Sequence, residues 1–453
     1  MRDGVESKSM LFMCKRQYKV PGSRFLLSYR TWRFGVVSAV ALPAWALPVS
    51  AQTATPVPNA TQPLRQFLAA KSDLKLKRQS GTQFSFASGA WHGTNWTQRA
   101  RVFTPRNNLF PGTATLLLLT DPALWDGVGG QLAADVTGST VVMVYDVPNQ
   151  PLWGRRENGL LGYSIQKTAQ TNDPTWSIAF PMARAVSRSM DAVQSWSGGS
   201  KTPLKKFVLV GFSKRALAAW LVAGDPRVKA LVSLGYNNLN LDGQARLQKQ
   251  NWGQLSTHWT QMVGTNFEKQ LQTPRGAALV QAWDPYSFCA DVRAPKLLVD
   301  ATNNDYWSLD SPSQFADRLN GRTNWLYFAN AGHTMDRAVP TLLQTSALWI
   351  RRTLENKPLE NPTLSVERAG FGLRAPGATN ANIQVAWSKS RDFRQSDWVQ
   401  VPIKRETMGW MGSRPTVPKA ARFVAVFGAA DYANPDGAGT LQLSSRVTIL
   451  RVR

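Results

Sequence analysis

The stretch that most constrains this chain runs from Phe207 to Trp220, F-V-L-V-G-F-S-K-R-A-L-A-A-W. Four apolar residues without alternation predict a strand buried on both faces. A Gly-Phe-Ser turn follows, and Leu217, Trp220 and Leu221 then recur at the spacing of a helix face. Strand, sharp turn bearing a serine, then helix is the layout of a nucleophile elbow. Such a turn holds Ser213 in a strained conformation and aims its hydroxyl out of the sheet. It also sets the Lys214 amide near a helix N-terminus, where it can stabilise an oxyanion. Arg215 stands where the G-x-S-x-G pattern has its second glycine. Simple helix capping by Ser213 is the alternative reading of the same residues.

A serine hydroxyl becomes a nucleophile only when a base takes its proton, and the base needs a carboxylate to hold its tautomer. The chain has 3 histidines. His333, in N-A-G-H-T-M, alone follows a predicted sheet strand, at 324–329. Asp305, in T-N-N-D-Y-W, follows another, at 296–301. The order Ser213, Asp305, His333 is that of the α/β-hydrolase fold. Asp310, near the start of the next helix where an acidic cap is expected, is the alternative acid, and Asp300 falls inside its strand. His92 in a hairpin turn and His258 read as structural or pocket-lining. For the second oxyanion amide the candidate is Asp121, in Thr120-Asp121-Pro122, because Pro122 has no N–H and no glycine pair occurs there.

Buried strands are also predicted at 113–119, 140–145 and 230–234, with helices at 180–196 and 339–354. Alternating strands and helices give an α/β class, a doubly wound, mostly parallel sheet over 64–360, with ligands bound beyond the C-terminal strand ends. An antiparallel hairpin precedes it within 74–105. The polar, tryptophan-bearing insertion at 237–287 reads as a cap over the strand ends. From Asn361 short alternating runs separated by Gly, Pro, Asn and Asp predict a small β-sandwich domain over 361–453, with Pro362 at the boundary.

Arg30 and Arg33 precede a short apolar run that ends V-S-A-Q. Residues 1–51 therefore read as a signal peptide with an extended leader, cleaved after Ala51, and 52–63 as a flexible linker. The run is short and proline-broken for a membrane span; an uncleaved anchor is the alternative. These features predict a periplasmic or secreted protein. Lys+Arg outnumber Asp+Glu by 53 to 28, a formal net charge of +25. The first 51 residues hold eight of the basic and two of the acidic side chains, so the remainder carries +19. Such a chain is drawn to an anionic envelope surface or to acidic substrates. With no Lys/Arg block and no nucleic-acid motif, a nucleic-acid role is not expected. Cys14 lies in the leader and Cys289 stands alone, so neither a disulfide nor a zinc site is expected, and no cofactor.

Several segments together resemble the PhoPQ-activated pathogenicity-related proteins. They are G-F-S-K-R-A, V-P-N-Q-P-L, D-P-T-W and M-D-A-V-Q within 173–194, W-D-P-Y-S-F, P-K-L-L-V-D-A-T-N-N-D, D-S-P-S-Q-F and N-A-G-H-T-M. The resemblance covers roughly 64–450. It implies an exported bacterial α/β-hydrolase-fold protein with a C-terminal β domain, and an S-K-R elbow in which Arg215 is normal. T-D-P replaces the glycine-rich oxyanion loop, and G-Y-N-N-L-N lacks an acidic residue the family often has. Two readings follow. One is a serine hydrolase cleaving an ester or peptide substrate through an acyl-enzyme intermediate. The other is a non-catalytic binding or signalling protein that retains the fold.

Overall fold

The computed structural model describes residues 60–452 apart from 71, 125, 265–266, 368–369, 408, 414, 435–436 and 438. The expected signal peptide and most of the expected linker lie outside the described residues.

Alternating sequence builds the antiparallel start: β1 (Lys77–Arg78), β2 (Gln83–Trp91) and β3 (Thr94–Phe103). Unbroken apolar runs supply β4 (Thr113–Leu118), β5 (Thr140–Val144), β6 (Lys206–Phe212), β7 (Val228–Leu234), β8 (Lys296–Ala301) and β9 (Thr323–Phe328). The strands lie in the order β1-β2-β3-β5-β4-β6-β7-β8-β9. β2–β3 and β3–β5 pair antiparallel, and every pair from β5 to β9 is parallel.

These strands lack polar alternation because helices cover both faces. In β6, Phe207 and Leu209 join the core that holds Phe180 of α4 (Ala179–Ser197) and Trp220 of α5 (Lys214–Val222). Val208 and Val210 point the other way, into the core that holds Leu348 and Trp349 of α10 (Val339–Leu354). This is the period of two expected of a pleated strand. The remaining helices are α1 (Gln62–Ala69), α2 (Asp126–Thr137), α3 (Glu157–Thr171), α6 (Leu241–Trp252), α7 (Thr257–Val263), α8 (Phe267–Leu271) and α9 (Pro274–Gln281). Helices α6 to α9 all fall between β7 and β8, within the insertion expected at 237–287. None of the described helices is long and apolar enough to cross a membrane.

The C-terminal strands are β10 (Thr363–Val366), β11 (Gly370–Arg374), β12 (Asn380–Ser388), β13 (Val399–Val401), β14 (Ile403–Glu406), β15 (Gly409–Ser413), β16 (Phe423–Ala433), β17 (Thr440–Ser444) and β18 (Thr448–Arg451). Ser444 of β17 pairs antiparallel with Trp325 of β9, and its hydroxyl accepts a hydrogen bond from the Tyr327 amide at 3.1 Å. β17, β16, β12 and β13 thereby continue the main sheet to 14 strands among the described residues, with β18 also on β16. A second sheet, β10-β11-β15-β14, packs over this extension. The contact is close: a Cβ added at Gly428 would come within 2.3 Å of the Leu373 side chain. The described residues group as one compact unit, so the β region shares its packing with the α/β part.

Candidate active site

The elbow is built by one close approach. Gly211, next to last in β6, lies against the start of α5, where an added Cβ would lie 2.6 Å from the Ala216 nitrogen. Ser213 then takes φ 52° and ψ −119°, a conformation that side chains other than glycine rarely occupy. Its amide donates to the Leu234 carbonyl at 2.8 Å, tying the turn to β7. Arg215 is buried and works as a strut. Its Nε donates to the Val147 carbonyl at 2.8 Å and its Nη2 to Glu157 Oε1 at 2.5 Å. Lys214 Nζ reaches Glu157 Oε2 at 2.9 Å and Asn158 Oδ1 at 2.8 Å. Burial opposes the charge on Glu157, but Arg215 and Lys214 outweigh it and hold the carboxyl at about 2.

Ser213, Asp305 and His333 follow β6, β8 and β9, all parallel strands, so the topology delivers them to the same end of the sheet. His333 Nε2 lies 3.2 Å from Ser213 Oγ. The imidazole packs against Phe212 and stacks on Tyr306, with ring centroids 5.2 and 4.1 Å apart. Burial pushes its pKa down to about 4, with Lys214 and His258 acting in the same direction and Asp305 opposing them. His333 is therefore neutral at pH 7, the state a general base requires.

His333 and Asp305 are not hydrogen-bonded to each other. Asp305 Oδ2 instead lies 2.8 Å from Nε2 of His258, on α7. Tyr306 stacks on both imidazoles, its centroid 3.9 Å from that of His258. The His333 Nδ1 atom is buried without a hydrogen-bond partner among the described residues. The other carboxylates are engaged elsewhere. Asp310 accepts from Asn251 at 2.7 Å and Ser308 at 2.8 Å, and pairs with Arg391 at 2.6 Å. Asp300 is buried and accepts from the Ala301 amide, Asn304 and Asn237. Asp121 pairs with Arg156 at 3.5 Å at the surface and is not among the residues lining the cleft beside Ser213. His92 stacks on Trp176 with centroids 3.6 Å apart.

That cleft opens over Ser213 and Lys214. Leu161, Leu217, Leu241, Met262 and Trp283 make its wall largely apolar. Much of the wall comes from the segment between β7 and β8. Asp284 anchors that segment by accepting the amides of Asn240, Leu241 and Tyr286 at 3.2, 2.7 and 2.9 Å. Sequence reading missed the His258–Asp305 pair, the double stack on Tyr306, and the Glu157 clamp. Each joins segments distant in sequence, and only the run Asp305-Tyr306-Trp307 hinted at ring packing beside the acid. Among the described residues no cluster of His, Cys, Asp or Glu is arranged to hold a metal ion.

The strand order, with antiparallel β1, β2 and β3 leading into an all-parallel run from β5 to β9 and a serine elbow after β6, defines an α/β-hydrolase-fold protein. The chain belongs to the PhoPQ-activated pathogenicity-related protein family, whose model matches residues 62–394. It is 26% identical over 232 residues to Autocrine proliferation repressor protein A of Dictyostelium discoideum, a match that covers 49% of this chain. The chain spans about half the length of that relative, 47%. Among solved structures it is similar to an acetyl xylan esterase from Paenibacillus sp. R4, at 12% identity and a TM-score of 0.46, covering 66% of this chain and 99% of that one. Acetyl Xylan Esterase 1 from Thermoanaerobacterium sp. JW/SL YS485 gives 13% identity and a TM-score of 0.47, covering 67% and 99%. A puromycin-hydrolyzing peptidase of Mycobacterium tuberculosis gives 14% and 0.40, covering 62% and 40%.

Proposed function

We propose that this protein is a serine hydrolase that cleaves an ester or amide bond through an acyl-enzyme intermediate, acting after export at or beyond the cell envelope. The observation that carries the reading is Ser213 Oγ on a strained elbow, 3.2 Å from the neutral Nε2 of His333. Ser213 Oγ attacks the carbonyl carbon as its proton passes to His333 Nε2. The tetrahedral oxyanion is met by the Lys214 amide, which leads α5 and has no carbonyl one turn earlier to bond. Collapse breaks the bond to the leaving group, which departs with the proton from His333. Water then repeats the sequence, releasing the acid and restoring the serine. Asp305 turns from His258 to the Nδ1–H of His333, meeting an otherwise unpartnered buried donor and stabilising the imidazolium.

The second reading, a binding or signalling protein with a hydrolase fold, is favoured by that same Nδ1 and by the engagement of Asp305 with His258. One experiment separates the two. A fluorophosphonate probe is expected to modify Ser213, as read by peptide mass spectrometry, and labelling is lost in Ser213→Ala and strongly reduced in His333→Ala. A chain with native circular dichroism that takes no label and turns over no ester or peptide rejects the hydrolase.

A further inference from the structure

Two polar groups in the cleft wall are left over by the fold. Asn238 and Trp307 are each 5% exposed and line the cleft over Ser213. Asn238 Oδ1 and Trp307 Nε1 are buried, and neither has a hydrogen-bond partner among the described residues. Groups of this kind are normally satisfied, because burial without a partner is unfavourable. Their senses are opposite: a side-chain amide oxygen accepts, and an indole N–H only donates. Asn237, beside Asn238, donates to Asp300, and Asn240 donates to the Gln314 carbonyl.

An acceptor and a donor in one apolar cleft match a ligand group that carries both an N–H and a C=O. A simple carboxylic ester offers only acceptors, so it leaves Asn238 Oδ1 unmet. We infer that the cleft is a binding site for an N-acylated amino acid or peptide. Its apolar side chain lies among Leu161, Leu217 and Met262, and its amide meets Asn238 Oδ1 and Trp307 Nε1. The inference rests on the hydrolase reading, because it places the carbonyl of that residue at Ser213. The scissile bond then follows an acylamino acid, and the leaving group takes the proton from His333 as above.

The test compares two esters on the full chain, N-acetyl-L-phenylalanine 4-nitrophenyl ester and 3-phenylpropanoic acid 4-nitrophenyl ester. They share the ring and the leaving group and differ in the acetamido group. After division by their alkaline hydrolysis rates, kcat/KM is expected to favour the acetamido ester by about tenfold or more, the worth of one well-made buried hydrogen bond. Asn238→Leu, which keeps the volume and removes the amide, and Trp307→Phe, which removes the N–H, are each expected to collapse that ratio. A wild-type ratio near one, or an equal fall for both esters in the variants, overturns the inference and leaves these groups a packing role. Failure of the hydrolase reading looks different: neither ester turns over and the fluorophosphonate does not label. The amide site is then judged by titrating N-acetyl-L-phenylalaninamide against tryptophan fluorescence. Binding that weakens about tenfold in Asn238→Leu retains it, and no binding by the wild type overturns it.

Discussion

His333 sets the pH behaviour of the site. Its imidazole is held down to about 4 by burial, with Lys214 and His258 adding to it. An ordinary histidine base would lose activity near its unperturbed pKa of about 6.5. Here the acid limb of kcat/KM is expected well below that, so the profile stays flat from neutral pH to about pH 5. The same shift affects stability in a definite direction. The unfolded chain protonates this histidine at a higher pH than the folded chain does, so stability is lost as pH falls from about 6.5 toward 4. Asp305 acts on His333 by raising its pKa. Asp305→Asn is expected to move the acid limb lower and to cut kcat, by up to about ten-thousandfold if it serves as a triad acid does. His258→Gln removes both the competitor for Asp305 and a neighbour that lowers the His333 pKa, so the limb is expected to move up. A pH–rate series on the two variants checks both signs, and shifts in one common direction contradict this account. Sequence order alone brought Ser213, Asp305 and His333 forward. It could not show that the carboxylate faces a second imidazole, because side-chain direction in a loop depends on packing from an element more than 40 residues earlier.

At the level of the element, the elbow depends on one missing side chain and one shared anion. Gly211→Ala places a methyl 2.6 Å from backbone nitrogen that cannot move without unwinding α5. The expected loss is about 3 kcal/mol, at the upper end for overpacking, and is read as the urea midpoint. The absence of a second glycine from the pattern is explained by Arg215, whose side chain turns away to brace Val147 and Glu157. Glu157→Gln leaves two neighbouring cations without their anion. Because the carboxylate is 40% exposed, the expected cost is roughly 1–3 kcal/mol rather than that of a fully buried pair. Its depressed pKa contributes stability above the unfolded value of about 4.5, lost as pH falls toward 2, so the variant and the wild type should converge in acid. The buried strands and helices α4, α5 and α10 were legible because their apolar periods are strong, whereas the 15-residue α3, in a stretch whose sequence reads as irregular, was not. The short helices α7 to α9 were not, since each is eight residues or fewer, and α7 and α9 start on the side-chain caps of Ser256 and Thr273.

Across the whole molecule, only strands follow the composition change at Asn361 among the described residues, but that change carries no information about where those strands pair. Their packing spans the boundary: Leu441 and Leu443 are buried in the same core as Leu348 and Ile350 of α10, and Arg391 pairs with Asp310 at 2.6 Å. Ending the chain at residue 360 is therefore expected to lower the thermal midpoint sharply or to prevent soluble folding, as measured by calorimetry and by recovery after refolding. A truncated chain with an unchanged midpoint would mark the two parts as energetically independent. For the leader, N-terminal sequencing of exported protein is expected to begin near Gln52, and a full-length, membrane-retained product would reject cleavage.

The continued sheet also has a consequence for how copies of this chain meet. Its outermost members are short: β1 has only Lys77 and Arg78, both exposed, and β13 has three residues. At the small sheet's margin, β14 carries Lys404, Arg405 and Glu406. Brief or charged outermost strands oppose strand-by-strand polymerisation. Two copies that meet margin to margin thus find little strand to template on.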